Sequence, residues 1–369
     1  MMFSSPYVVL NAMRKPRAPD RGTFFREPKQ SLMLEKHPLS DLIIMKCLNT
    51  HYGIDVASLT FLPIGADMNA AVYKAQTRDR TSYFIKLKQG HHHDISVEIV
   101  ELLQRAGIEQ IIPPIKTMHG KPLQPMDDFT LIVYPFVEGQ DGFSRHLTEE
   151  QWIKLGKALK QVHEVEVPSS IQHRIRQETY SPKWRDFIRS LYPHMEAETS
   201  TDEIAIKLQK FMKKNMPAIH RLVDRAEQLG DKLQNESPKC TLCHSDIHAG
   251  NVLIDGNHKI YIVDWDEPIM APKERDLMFI GGGVGNVWNR PQEVDYFYKG
   301  YGNTEVDLTI LAYYRHERIV QDIAEYAQVL LLRAEKGNDR QEMYKQFIGM
   351  FEPQGVVEIA FKTDEGLSV

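Results

Sequence analysis

The sequence predicts an α+β fold in two lobes, the first rich in strands and the second mainly helical. Three observations predict it. Three short runs between residues 59 and 88 alternate apolar and polar side chains. An apolar run over residues 129–137 stops at Glu138-Gly139-Gln140-Asp141-Gly142. Long amphipathic stretches then occupy roughly 182–233 and 291–350. Alternation is the period of a half-buried strand, and apolar residues three and four apart are that of a helix facing a core.

In order, a helix is expected over residues 39–52. Strands follow at 59–64, 71–76 and 82–88, separated by polar breaks that suit an antiparallel meander. Residues 94–105 place Ile95, Ile99, Leu102 and Leu103 on one helical face. The 129–137 run reads as a buried strand, and the Gly-rich break after it as a hinge. Thr148 and Gln151 have capping-box spacing ahead of a stripe of Trp152, Leu155, Leu159 and Val162. Two short strands are expected at 251–254 and 258–264. The expected division is therefore an extension over 1–32, poorly ordered and with a plausible second start at Met33, an N-terminal lobe over 33–137 and a helical lobe over 138–369.

The bulk composition excludes several classes. The chain has 369 residues, 42% hydrophobic and 26% charged, with a formal net charge of −5. Nucleic-acid binders need a basic surface, so no nucleic-acid partner is expected. Three cysteines, Cys47, Cys240 and Cys243, cannot make a disulfide framework and suit a reducing compartment. There is no apolar run of about 18 residues or more and no apolar segment behind the N-terminal charges, so neither a membrane span nor a signal peptide is expected. A cytoplasmic monomer is the expectation.

The chemistry is concentrated in His244-Ser245-Asp246-Ile247-His248-Ala249-Gly250-Asn251, an H-x-D-x4-N pattern, followed by Asp264 at the end of Ile260-Tyr261-Ile262-Val263. This is the order of a kinase catalytic loop and a metal-binding carboxylate. Nucleotide phosphates need a Mg²⁺ counter-charge, and Mg²⁺ takes hard oxygen ligands, which Asn251 and Asp264 supply. Asp246 is placed to accept the proton of an attacking hydroxyl. Upstream, Lys86 shares a strand face with Phe84 and suits the α- and β-phosphates of ATP or GTP. Glu98 is the candidate acid to hold Lys86, with Asp94 and Glu101 as competitors. Gly65, in Ile64-Gly65-Ala66-Asp67, offers backbone N–H groups to phosphate. Pro135 keeps a carbonyl and Val137 an N–H for a purine edge. The reading requires Asp246, Asn251 and Asp264 to meet beside Lys86. Cys240-Thr241-Leu242-Cys243-His244 also matches C-x-x-C-H, a haem-attachment pattern, but His244 opens the catalytic motif and no export signal precedes it.

With these pieces in order, the chain resembles the aminoglycoside phosphotransferase family, which shares the protein-kinase-like fold. The resemblance runs from about residue 35 to the C-terminus through 242–253, Ile262-Val263-Asp264-Trp265-Asp266-Glu267-Pro268 and Pro272-Lys273-Glu274-Arg275-Asp276-Leu277. It implies Asp246 as base, Asn251 and Asp264 as Mg²⁺ ligands, Lys86 on the phosphates, and His244 and Asp276 in structural roles behind the loop. His163 is expected in the core. The acceptor implied is a cationic aminocyclitol antibiotic, spectinomycin foremost, with choline, homoserine or another small alcohol as alternatives. Asp266 and Glu267 could face its ammonium groups, Trp265 could lie against it, and Trp288 could shape the pocket wall. Asp276 follows Asp264 by only twelve residues, too close for the peptide-holding segment of a protein kinase. A non-catalytic nucleotide binder would be expected to lack one of the four polar residues, and all are present.

Overall fold

The computed structural model describes residues 39–63, 70–90, 95–196, 201–282, 284, 287–332 and 340–366, apart from the side chains of 194–196. The expected extension over 1–32 and the second-start reading at Met33 lie outside these residues. In chain order come α1 (Asp41–Tyr52), β1 (Val56–Leu62), β2 (Ala70–Thr77), β3 (Ser82–Gln89), α2 (Ile95–Arg105), β4 (Gln124–Met126), β5 (Phe129–Pro135) and β6 (Gly139–Asp141). Next are α3 (Glu149–Glu164), α4 (Ser169–Gln172), β7 (Arg176–Gln177), α5 (Lys183–Glu196), α6 (Glu203–Lys214), α7 (Met216–Glu236) and β8 (Thr241–Cys243). The chain continues with β9 (Val252–Asp255), β10 (Ile260–Ile262), β11 (Ile269–Ala271), α8 (Glu274–Leu277), α9 (Pro291–Tyr301), α10 (Leu308–Ala327), α11 (Arg340–Gly349) and α12 (Val356–Glu365).

The chain gathers into two compact units. Among the described residues, one holds 39–146 with Gly250–Trp265, and the other holds Leu147–Ala249 with 266–366. In the first unit, β1-β2-β3-β5-β4 form an antiparallel sheet, the expected meander extended by β5 and β4. Its strands alternate, so one face packs Ile85, Leu87, Leu131 and Val133 against Ile44 and Leu48 of α1. The opposite face packs Phe84, Val72 and Ile132 against Val97 of α2 and Val263. Residues 139–141, read from sequence as a hinge, form β6 and pair with β9, which in turn pairs with β10. Gly139 permits this pairing, because a Cβ there would sit 2.5 Å from the Ile254 carbonyl oxygen. The 250–265 segment, which follows the helical lobe's first helices in sequence, thereby groups with the strand-rich unit.

In the second unit α10 is the central helix, buried on most of its surface and packed on α5, α7 and α12. The Asp307 side chain caps its start by accepting from the Thr309 and Ile310 N–H groups. The expected capping box opens α3, with Thr148 and Gln151 bonding reciprocally. Helix α3 packs closely on α9 through Gly156 and Gly300, each lying against the other helix's backbone. Strands β7, β11 and β8 make a small sheet. No helix among the described residues is long and apolar enough to cross a membrane.

Candidate active site

Strand β3 runs antiparallel between β2 and β5, with Lys86 opposite Val72 and Ile132. The period of two puts Lys86 on the Phe84 face, as expected, and the residue is 7% exposed. A buried ammonium must be matched by acceptors. Asp264 Oδ1 stands 3.6 Å from Lys86 Nζ. The β9–β10 hairpin sets this up. Ile262 pairs with Val252, and the Val263 N–H donates to the Asn251 carbonyl at 3.0 Å. Asn251, just before β9, and Asp264, just after β10, therefore sit at one end of the hairpin. Asp264 has a left-handed backbone, φ 66°. Such a conformation costs a non-glycine residue about 1 kcal/mol and clusters at functional sites. An amide oxygen and a carboxylate are hard donors, so this pair fits Mg²⁺ in chemistry.

Glu98 is in the first turn of α2 and half-buried. Its competitor Glu101 is engaged by Lys116 at 2.8 Å, and Asp94 lies outside the described residues. Gly65 does too. At the end of β5, the Phe136 N–H donates to the Ser82 carbonyl, Pro135 is exposed, and Val137 is half-buried beside the Phe84 cluster.

In the second unit the segment after β8 is held from behind by Asp276, which is fully buried on α8. Its carboxylate accepts from the His244 N–H at 2.9 Å, the Ser245 N–H at 2.7 Å and the His163 ring at 3.0 Å. Burial works to raise the Asp276 carboxyl, but His163 and His244 outweigh it and hold it below the usual carboxylate range. Ser245 takes φ 75°, and its hydroxyl donates to the Glu267 carbonyl at 2.8 Å, so the turn is fixed on two sides. His244 is buried and its Nδ1 accepts from the Asp246 N–H at 3.3 Å. These contacts fit the structural reading of His244 and Asp276. His163 bonds Tyr301 with its other nitrogen at 2.7 Å, and the Cys243 thiol points at the Ala271 and Pro272 carbonyls. The His163, Cys243 and Asp276 group is thus a hydrogen-bonded core cluster, and within the C-x-x-C-H stretch Thr241–Cys243 form β8 while Cys240 stays exposed.

Asp246 is reached by a residue that sequence reading missed. Arg318, on α10, donates from Nη1 to Asp246 Oδ1 at 2.7 Å. Burial would raise the Asp246 carboxyl, but Arg318 and then His248 hold it well below the usual range. Arg318 lies 72 residues downstream on an amphipathic helix, and no motif spacing marks it.

The acceptor-side residues fare differently. Trp265 is 5% exposed and its indole N–H donates to the Ile262 carbonyl at 3.1 Å, so it is a packing residue rather than a surface for a ligand. Trp288 is 3% exposed and packs edge-to-face on Trp152 at 4.9 Å, which makes it a core aromatic instead of a pocket wall. An aromatic beside a motif looks the same in sequence whichever way it turns. Glu267 is exposed and pairs with Arg176 at 3.5 Å, while Asp266 is half-buried.

Comparison with known proteins adds five findings. Residues 60–331 match the profile of APH, the phosphotransferase enzyme family. A solved spectinomycin phosphotransferase, APH(9)-Ia, in complex with ADP and spectinomycin is 52% identical, with a TM-score of 0.84, over 89% of this chain and 100% of that one. Its AMP-bound complex is 50% identical with a TM-score of 0.81 over the same shares. Protein StrN of Streptomyces griseus is 24% identical over 194 residues, 50% of this chain and 59% of its own length. An amicoumacin kinase, 18% identical over 88% of this chain and 94% of that one, shares the fold at a TM-score of 0.59.

Proposed function

The chain belongs to the phosphotransferase enzyme family, with its α+β, protein-kinase-like fold, and on that premise we propose that it moves the γ-phosphoryl group of ATP onto a hydroxyl of spectinomycin or a close aminocyclitol. One observation carries the acceptor: the 52% identity to a protein solved with ADP and spectinomycin, over the whole of that protein. The ADP and AMP complexes of that relative favour an adenine donor.

In this reading Lys86, held by Asp264, binds the phosphates that stay with the leaving nucleotide. Asn251 and Asp264 would hold Mg²⁺, which when bound neutralises phosphate charge. Glu98 would hold Lys86 in place, Gly65 would offer backbone N–H groups to the phosphates, and Pro135 and Val137 would offer main-chain groups to adenine. Asp246 accepts the acceptor's O–H proton while that oxygen bonds to the γ-phosphorus and the bond to the bridging oxygen breaks, releasing ADP. The transition state is loose, so orienting the hydroxyl matters more than strong basicity. A carboxylate held ionised by Arg318 suits that task. Asp266 and Glu267, which follow Trp265 in sequence, would face the ammonium groups of the acceptor. Purified protein with Mg²⁺, ATP and spectinomycin should yield ADP and a mono-phosphorylated antibiotic. Unconsumed ATP across a panel of aminocyclitols would remove the reading.

A further inference from the structure

We propose that Arg318 is a positioning residue for Asp246, anchored from behind by Asp322, and that this relay aims Asp246 Oδ2 at the acceptor hydroxyl. It rests on the phosphoryl-transfer reading. All three residues lie in one compact unit. Arg318 donates from Nη1 to Asp246 Oδ1 at 2.7 Å and from Nε to Asp322 Oδ1 at 3.0 Å. Two edges of one planar fork are thus fixed by two carboxylates, which sets the plane as well as the position of the guanidinium. Asp322 is one helical turn along α10 and 1% exposed, and the Phe279 ring lies 5.6 Å from the guanidinium carbon. The Arg318 side chain is therefore held by groups on three sides.

The pairing has a chemical consequence. With Oδ1 bonded to Arg318, the Asp246 carboxylate cannot rotate without losing a charge-assisted hydrogen bond. On the other side its Oδ2 faces His248 Nε2 at 3.5 Å. Because the carboxylate is rigid, fixing Oδ1 against Arg318 also fixes the direction of Oδ2. A guanidinium against a catalytic carboxylate would be a handicap if strong basicity were needed. It is an advantage when the carboxylate must mainly be ionised and correctly pointed. Lysine could replace the charge but could not span both carboxylates.

A double-mutant cycle tests this. Arg318→Met, Asp246→Asn and the double variant are compared for transfer to an alcohol. ATP hydrolysis, in which water takes the acceptor's place, is followed in parallel. Arg318→Met should lower kcat about a hundredfold, as misplacement of a reacting group does, with the KM for ATP unchanged. In the Asp246→Asn background it should cause no further loss, and Arg318→Lys should recover only part of the loss. An equal loss in both backgrounds, or none in the wild type, would overturn the inference, since general damage does not depend on Asp246. If the wild type phosphorylates no alcohol, the functional reading fails, and the hydrolysis cycle still decides the role of Arg318. Should thermal melts show Arg318→Met misfolded, Asp322→Asn enters the same cycle. It is expected to give a smaller loss that vanishes with Asp246→Asn, and an equal loss in both backgrounds would again overturn the relay.

Discussion

Asp246, Lys86 and Glu317 each tie a charge to a distinct, measurable outcome. Asp246→Asn keeps the shape and removes the proposed proton acceptor. We expect turnover to fall by about 100- to 10,000-fold, the usual range for an acid–base group, while calorimetry shows ADP binding unchanged. Lys86→Met removes the ammonium that sits 3.6 Å from Asp264. It should raise the KM for ATP and also lower kcat, because the phosphates lose a charge partner in ground and transition states alike. Glu317 is a stability case. It is bonded to buried Arg185, yet burial outweighs that pairing and pushes its carboxyl up to about 7. A folded-state value above the unfolded one means the native protein holds the proton longer. Its stabilising contribution is therefore complete below the unfolded carboxylate range and is lost as pH rises through about 7. Urea unfolding should show the wild type losing stability relative to Glu317→Gln between about pH 4.5 and 7, at no more than about 1.4 kcal/mol per pH unit. A pH-independent difference would refute it. At this scale a spaced motif and a clean alternation pointed to Lys86 and Asp264, which the fold brings within 3.6 Å of each other, and to Asp246 as the candidate base. Arg318 was hidden because helix α10 carries it to Asp246 with no local signature, and Trp265 and Trp288 were misassigned because proximity to a motif says nothing about which side of the chain an indole takes.

The elements show the same division. Alternation located β1, β2 and β3 to within a few residues, and the Thr148 capping box fixed the start of α3. The 139–141 segment was opaque, because glycine in a polar stretch reads as a break until β9 is there to accept it. Close helix packing was likewise invisible. Gly156 of α3 lies against the Phe297 carbonyl of α9, so a methyl group there would overlap backbone. In an exposed helix Gly→Ala would stabilise by about 1 kcal/mol. Here the overlap should win, and Gly156→Ala should destabilise by about 1–3 kcal/mol, the cost of overpacking. A denaturant midpoint equal to or above that of the wild type would show that α9 can yield.

At the scale of the whole chain, family membership and fold were already legible, since the catalytic motif and its flanks run in one order along the sequence. The acceptor was less so. A net charge of −5 is compatible with a cationic antibiotic but does not select one. The 52% identity to a relative solved with spectinomycin supports the proposal of that acceptor. The most direct test is the rate of phosphoester formation on spectinomycin with Mg²⁺ and ATP, followed by mass spectrometry for the wild type and Asp246→Asn side by side. The account predicts a single added phosphoryl group with one ADP formed per product, and near-complete loss in the variant. An unmodified antibiotic, or equal rates in the two proteins, would contradict it.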